Sequence, residues 1–115
     1  MSEADPDLET VAGLLEDKTV REILTRTSEE PMSARRLKDH CDASGPTIYR
    51  RLERLREANL VVEQTRPDPE GGHHRQVYAP NLNRIIVDLD AGTLSVQIRR
   101  RETMTDRFTR LVEEM

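Results

Sequence analysis

The sequence predicts a small α+β fold in which helices come first and β-hairpins follow. Apolar residues recur at helical spacing through the first half, whereas strict apolar–polar alternation is confined to the second half. Within the second half, the segment Pro67 to Gly72 has a proline and glycine content that is typical of a turn. The chain has 115 residues, which is the size of one ordinary domain.

Four helices are predicted in the first 60 residues. Pro31 ends the second helix, while Pro46 falls in the first turn of the fourth, where a missing N–H costs no hydrogen bond. The fourth helix extends to about Ala58, and Asn59 is a plausible left-handed stop. Residues 1–7 are acidic and lack a period, so we expect a disordered tail. Each helix follows a residue that can cap it: Asp7, Asp17, Ser33 and Ser44.

The second half predicts two hairpins and a last helix. The first hairpin spans residues 61–79, and the second turns at Asp90-Ala91-Gly92. We divide the chain into the tail 1–7, a first unit 8–80, and a second unit 81–115. The second unit ends in a helical stripe of apolar residues: Met104, Phe108, Leu111, Val112 and Met115.

Composition excludes several classes of protein. The longest apolar runs have three residues, far short of the roughly 18 that a membrane span needs. The first ten residues carry four acids and no apolar stretch, so we expect no secretory signal. A single cysteine, Cys41, favours a reducing, cytoplasmic setting. The 16 arginines against 2 lysines, with an acid excess, resemble proteins of salt-loving microbes, although a GC-rich genome would also favour arginine.

Basic charge is concentrated around the fourth helix. Residues 1–30 carry 9 acids and 3 bases, whereas residues 31–60 carry 4 acids and 7 bases. On a helical wheel Ile48, Leu52 and Leu55 form the inner stripe. The opposite face carries Thr47, Arg50 and Arg54, and such a face fits the major groove of DNA. The helix start, with Ser44, suits a phosphate group.

The segment from Ser33 to Val62 resembles the winged helix-turn-helix regulators of the ArsR-like and related bacterial and archaeal classes. The resemblance covers residues 8–80 and implies a three-helix core with a β-hairpin wing. It also implies that residues 44–58 form the recognition helix, that residues 61–79 form the wing, and that the protein is a homodimer. The matching positions are Ser44, Thr47, Ile48, Tyr49, Arg50, Leu52, Leu55, Leu60 and Val61.

These observations predict a regulator that binds double-stranded DNA, with the wing on the backbone or in the minor groove. The alternative is a winged-helix subunit that docks proteins in the transcription machinery; a basic outer face favours DNA. A solvated helix and an exposed hairpin with incidental charges would carry the same residues without binding DNA. The expected DNA-binding residues are Ser44, Thr47, Tyr49, Arg50, Arg51, Arg54, Arg66, His74 and Arg75.

The remaining candidates concern regulation and assembly. Cys41 occupies an inner position and is either a core residue or a redox sensor activated by nearby positive charge. The neighbours His73 and His74 point to opposite faces of a strand, so we expect no metal site. With neither a glycine-rich phosphate loop nor a nucleophile–base pair, we expect neither an enzyme nor a cofactor. The expected dimer interface comprises Leu8, Val11, Met104, Phe108, Leu111 and Val112.

Overall fold

The computed structural model describes residues 5–67 and 74–101, with helices first and hairpins second. The elements are α1 (Leu8–Glu16), α2 (Lys18–Glu29), α3 (Ala34–His40), α4 (Gly45–Glu57), β1 (Val61–Pro67), β2 (His74–Pro80), β3 (Arg84–Asp90) and β4 (Thr93–Arg99). The predicted α+β class and element order are confirmed. The predicted dimerisation helix lies outside the described residues, as does most of the predicted tail. The division at residue 80 remains a prediction.

Each helix begins at the side chain that the sequence predicts as its cap. The carboxylate of Asp7 accepts the backbone N–H of Thr10 at 2.9 Å. Asp17, Ser33 and Ser44 accept the N–H groups three residues ahead in the same way. Asn59 takes a left-handed conformation with φ 59° and follows the end of α4, as predicted. Local chemistry therefore sets most of the helix ends.

The core lies between the first four helices and the start of β1. The inner stripe of α4 is buried throughout, because Ile48 and Leu55 are 0% exposed and Leu52 is 2% exposed. Leu37 of α3 and Ile23 of α2 belong to the same cluster. This packing fixes which face of α4 turns outward. Others in the cluster are Leu14, Val20, Met32, Ala34, Cys41, Ala58, Leu60 and Val61.

The two hairpins form separate two-stranded sheets. In the first, β1 and β2 pair from Val61 opposite Pro80 to Pro67 opposite His74. Met32, just before α3, exchanges two backbone hydrogen bonds with Tyr78, at 3.1 and 2.8 Å. This bridge attaches the wing to the helical core.

The second hairpin is joined to the end of α4. Asn81 donates through its side chain to the carbonyl of Asn59 at 3.2 Å, and Arg100 donates to the same carbonyl. Arg100 also pairs with Asp5 at 2.5 Å. The strands β3 and β4 pair without a break from Arg84 opposite Arg99 to Asp90 opposite Thr93. Their base is thus held by polar contacts.

The β3–β4 turn contains a strained alanine. Ala91 has φ 49° and Gly92 has φ 81°, the two positive values of a type I′ turn. We expect Ala91→Asn to stabilise the protein by about 0.5–1 kcal/mol, because asparagine tolerates the left-handed region better than alanine. Thermal unfolding of both proteins measures the difference. Ala12→Asn, at an exposed position within α1, is the control and should destabilise by a few tenths of a kcal/mol. An unchanged or lower stability of Ala91→Asn would contradict the strain.

Candidate nucleic-acid interface

The start of α4 presents a compact polar surface. The hydroxyl of Ser44 accepts the N–H of Thr47 at 3.3 Å and donates to the hydroxyl of Thr47 at 3.0 Å. Pro46 occupies the first turn, where its ring favours a helical φ. The Thr47 side chain is half-buried, and its orientation is held by Ser44. The first turn is therefore ordered before any ligand arrives.

Tyr49 and Arg50 project from the same end of α4. Tyr49 is 60% exposed although tyrosine is a large, partly apolar side chain. Arg50 is also exposed, and within the described part of the chain it makes no hydrogen bond or ion pair. An exposed guanidinium at the start of a rigid helix keeps all five donors available. Among the predicted residues, Arg50 best fits contact with a base or a phosphate.

Lys38 is a residue of this surface that sequence reasoning missed. A Cβ placed on Gly45 would lie 3.7 Å from Cδ of Lys38, so the lysine stem lies beside the first residue of α4. Lys38 is exposed, and no described residue pairs with its ammonium group. The sequence carries no local signal for this contact, because Lys38 and Gly45 belong to different helices.

Arg51, predicted to contact DNA, has a partner within the fold. Its Nε donates to Oδ2 of Asp17 at 2.6 Å, with the two side chains 27% and 18% exposed. Because Asp17 lies between α1 and α2, this ion pair joins α4 to the turn between the first two helices. Arg51 therefore has a structural role, and its contact with DNA stays a prediction.

The Asp17 carboxylate is stabilised in its ionised form. Burial acts to raise its pKa, but hydrogen bonds from the N–H of Val20 and from Arg51, together with the charge of Arg51, outweigh burial and lower it below the usual 3.8. A lowered pKa in the folded state means that ionised Asp17 stabilises the fold above pH 3.8. That contribution is lost as the pH falls through the folded-state pKa.

Arg54 lies on the α1 side of α4. A Cβ placed on Gly13 would lie 3.8 Å from Nη2 of Arg54, so the guanidinium rests against α1. It lines a shallow cleft of about 400 Å³ together with Asp5, Asp7 and Glu57. Among the described residues no ion pair or hydrogen bond joins Arg54 to these carboxylates, so its exposed guanidinium stays available to a ligand. The structure places it beside the N-terminal helix.

The wing places two predicted arginines opposite each other. Arg66 of β1 and Arg75 of β2 are register partners, so their side chains share one face, and both are exposed. The backbone of His74 begins β2, and the wing tip, residues 68–73, lies outside the described residues.

Tyr78 donates to Glu63 at 3.4 Å, and burial, followed by the charge of Glu63, raises the pKa of Tyr78. This hydrogen bond joins β2 to β1 at the base of the wing.

Cys41 is a buried residue of the core. It is 7% exposed, and burial, followed by the charge of Glu22, raises the pKa of its thiol. A raised pKa disfavours the thiolate, which is the reactive form. These observations favour the core interpretation over the redox sensor.

The predicted interface residues of α1 differ in their surroundings. Val11 is 2% exposed within its own chain, so little of its side chain is accessible to a partner. Leu8 is half-buried. Met104, Phe108, Leu111 and Val112 lie outside the described residues. The dimer interface stays a prediction.

Comparison with known proteins identifies part of the chain. Residues 15–64 match a family model described as a helix-turn-helix domain. The match includes α2, α3, α4 and the start of β1, which are the elements that build the surface around Arg50. No curated protein matches the chain. No helix within the described ranges 5–67 and 74–101 is long and apolar enough to cross a membrane. Residues 15–64 are thus similar to a helix-turn-helix domain, and the β1–β2 hairpin extends beyond the matched segment.

The Arg51–Asp17 pair predicts a stability effect separate from DNA binding. Arg51→Ala should lower the free energy of unfolding by about 1–2 kcal/mol at neutral pH, because it removes a charged hydrogen bond from a largely buried carboxylate. The difference from wild type should shrink as the pH falls below 3.8, where Asp17 becomes protonated. Denaturant unfolding at several pH values measures both effects.

The neighbouring residue supplies the control for that experiment. Arg50→Ala removes an arginine that has no described partner, so its stability should stay within about 0.5 kcal/mol of wild type. Equal stability losses for the two variants would mean that the ion pair contributes nothing specific.

Proposed function

We propose that this protein is a transcriptional regulator that binds a specific sequence of double-stranded DNA as a homodimer. In this proposal α4 enters the major groove, and the β1–β2 wing lies on the backbone or in the minor groove. The observation that carries it is Arg50, exposed and without a described partner, at the start of a helix whose inner stripe is buried.

The chemistry of the surface supports DNA as the ligand. Arg50 can donate two hydrogen bonds to O6 and N7 of guanine, and the methyl group of Thr47 can contact a thymine methyl. Lys38, beside the start of α4, is placed to neutralise a phosphate. Arg66 and Arg75 on the wing add positive charge at a second point. Contacts of these two kinds would fix both register and sequence.

A protein-docking function is less well supported. Such a surface needs exposed apolar side chains, and among the large apolar residues exposed in the described part of the chain only Tyr49 lies on α4. The others belong to α1 or to the second hairpin. The outer surface of α4 therefore favours a polyanion.

We also propose a narrower placement of the protein. The residues that resemble ArsR-like regulators lie within or beside the matched segment, which supports a regulator of that type. The scarcity of lysine and the excess of acids support an origin in a salt-loving archaeal microbe. A cytoplasmic location follows from a function on DNA.

Arg50→Ala should weaken binding to the preferred site by about 1–3 kcal/mol and relax preference at one base pair, because a bidentate base contact is lost. The site is first obtained by selecting wild-type binders from random duplexes. Affinity is then measured across single base changes. Lys38→Ala should instead weaken all sequences equally and reduce the salt slope by about 1.

Arg56→Ala is the matched control within α4. Its guanidinium is paired with Glu53 at 2.9 Å, and both side chains are about half exposed. Its removal should leave DNA affinity nearly unchanged. Wild-type affinity in Arg50→Ala would show that the DNA-facing surface has been assigned wrongly.

The homodimer gives a second prediction. Two-fold symmetry requires two half-sites about 34–36 Å apart, one helical turn of DNA. Phe108→Asp in the full chain should weaken self-association and binding to the two-part site together, because it places a charge in the predicted apolar stripe. Sedimentation equilibrium and footprinting measure the two effects. A variant that stays dimeric would remove Phe108 from the interface.

A further inference from the structure

One face of the β3–β4 hairpin is apolar, and the exposure of its side chains is greatest toward the tip. Register pairs place the side chains of both strands on one face, in three pairs: Ile85–Ile98, Val87–Val96 and Leu89–Leu94. At the base Ile98 packs against the core, but Val87 is 56%, Leu89 77% and Leu94 51% exposed. Exposed apolar surface gathered on one hairpin marks an interaction site.

The outer edge of β3 is open among the described residues. β3 pairs only with β4 in a two-stranded sheet, so half of its backbone N–H and C=O groups face outward. Asp5 lines a cavity with Ser95 and Ile98 beside β4. β3 has seven residues, no proline and no bulge, so it lacks two of the usual protections of an edge strand.

Charge is distributed along this hairpin as a dipole. At the base Arg84 lies opposite Arg99, and like charges placed directly opposite destabilise a sheet. Near the tip β3 carries Asp88 and Asp90. No ion pair within residues 5–67 or 74–101 involves any of these four groups. Within the described residues, these four charges are therefore not neutralised by groups of opposite sign.

A second copy of β3, running antiparallel to the first, would supply the opposite charges. If two copies of β3 run antiparallel with Val87 opposite Val87, then Arg84 of each copy lies opposite Asp90 of the other. Ile85 then lies opposite Leu89. All seven residues are paired in this register, and both charged ends are neutralised.

We propose that a second copy of this chain pairs with the β3 edge in this register and joins the two hairpins into one four-stranded antiparallel sheet. The two-fold axis passes through Val87, perpendicular to the sheet, so the apolar faces of both copies lie on the same side. The inference rests on the proposed homodimer and names its interface.

A charge exchange tests the register directly. Asp90→Arg places two arginines opposite each other at both ends of the paired strands. We expect the dimer dissociation constant to rise at least about tenfold, because two attractive pairs become repulsive. The double variant Arg84→Asp with Asp90→Arg restores both pairs in reverse and should return the constant to near its wild-type value. Sedimentation equilibrium of the full chain without DNA measures all three proteins.

Asp88→Arg is the control on the same strand and the same face. In the proposed register Asp88 lies opposite Ile86, so its reversal should have a smaller effect than that of Asp90. A larger effect at Asp88 would overturn the register. A dimer unaffected by Asp90→Arg, or a double variant without recovery, would overturn the interface.

Cross-linking gives an independent test in a Cys41→Ala background. The Cα atoms of opposed residues in antiparallel strands are about 4.5–5.5 Å apart, so Val87→Cys should form a disulfide with its own copy upon oxidation. Leu94→Cys, similarly exposed, is the control. The β4 strands would be three strand spacings of about 4.8 Å apart, which is beyond disulfide reach. Equal cross-linking of the two variants would contradict the proposal.

Failure of this interface is distinguishable from failure of the proposed function. A wild-type protein that is monomeric at every concentration, yet selects a preferred duplex, would remove the interface and leave DNA recognition intact. Conversely, a dimer that follows the charge exchange while no duplex is preferred would establish the interface and remove the DNA-binding function.

Discussion

The arrangement of the helices depends on the Asp17 carboxylate. One oxygen accepts the N–H of Val20 and begins α2, while the other accepts Arg51 of α4 at 2.6 Å. The same residue is the C-terminal cap of α1. Three helices therefore meet at one residue, which caps α1 through its backbone N–H and contacts α2 and α4 through its side chain. The rotation of α4 is set by this polar contact on one side and by Ile48, Leu52 and Leu55 within the core. The exposure of Arg50 is a consequence of that rotation, since the residue next to a buried anchor must point elsewhere.

Local chemistry in the sequence was sufficient to predict the helices and their ends. Caps act over three residues and the apolar stripe of α4 over one element, so neither requires knowledge of the tertiary fold. The roles of Arg51 and Arg54 could not be predicted in this way. Arg51 lies at the margin of the inner stripe, and whether such a residue faces solvent or a partner depends on Asp17, 34 residues away. What buries Val11 could not be predicted for the same reason, because an apolar residue on a helix face indicates burial but not the element that covers it.

The structure also shows that only part of the basic charge of α4 is available to a ligand. Arg51 pairs with Asp17 and Arg56 with Glu53, whereas Arg54 is exposed and lines the cleft beside α1. Among the described residues Arg50 and Arg54 are therefore the arginines of α4 without an ion pair, and Arg50 is the one nearer the start of the helix. Lys38 of α3 extends the positive surface, although a wheel drawn for α4 alone could not include it. A net basic segment is thus a weaker argument for DNA binding than one unpaired guanidinium on a fixed helix.

The two hairpins, similar in length, are placed for different tasks by how they are attached. The bridge between Met32 and Tyr78 ties the first hairpin to the entry of α3, so its position follows the helices that carry the proposed DNA-facing surface. Asn59 takes a left-handed conformation and turns the chain from the end of α4 toward β1. The second hairpin is held at the same residue, and its apolar tip extends beyond those contacts. Association at β3 would then set the distance between two α4 helices without altering either one, which is what recognition of two spaced half-sites requires.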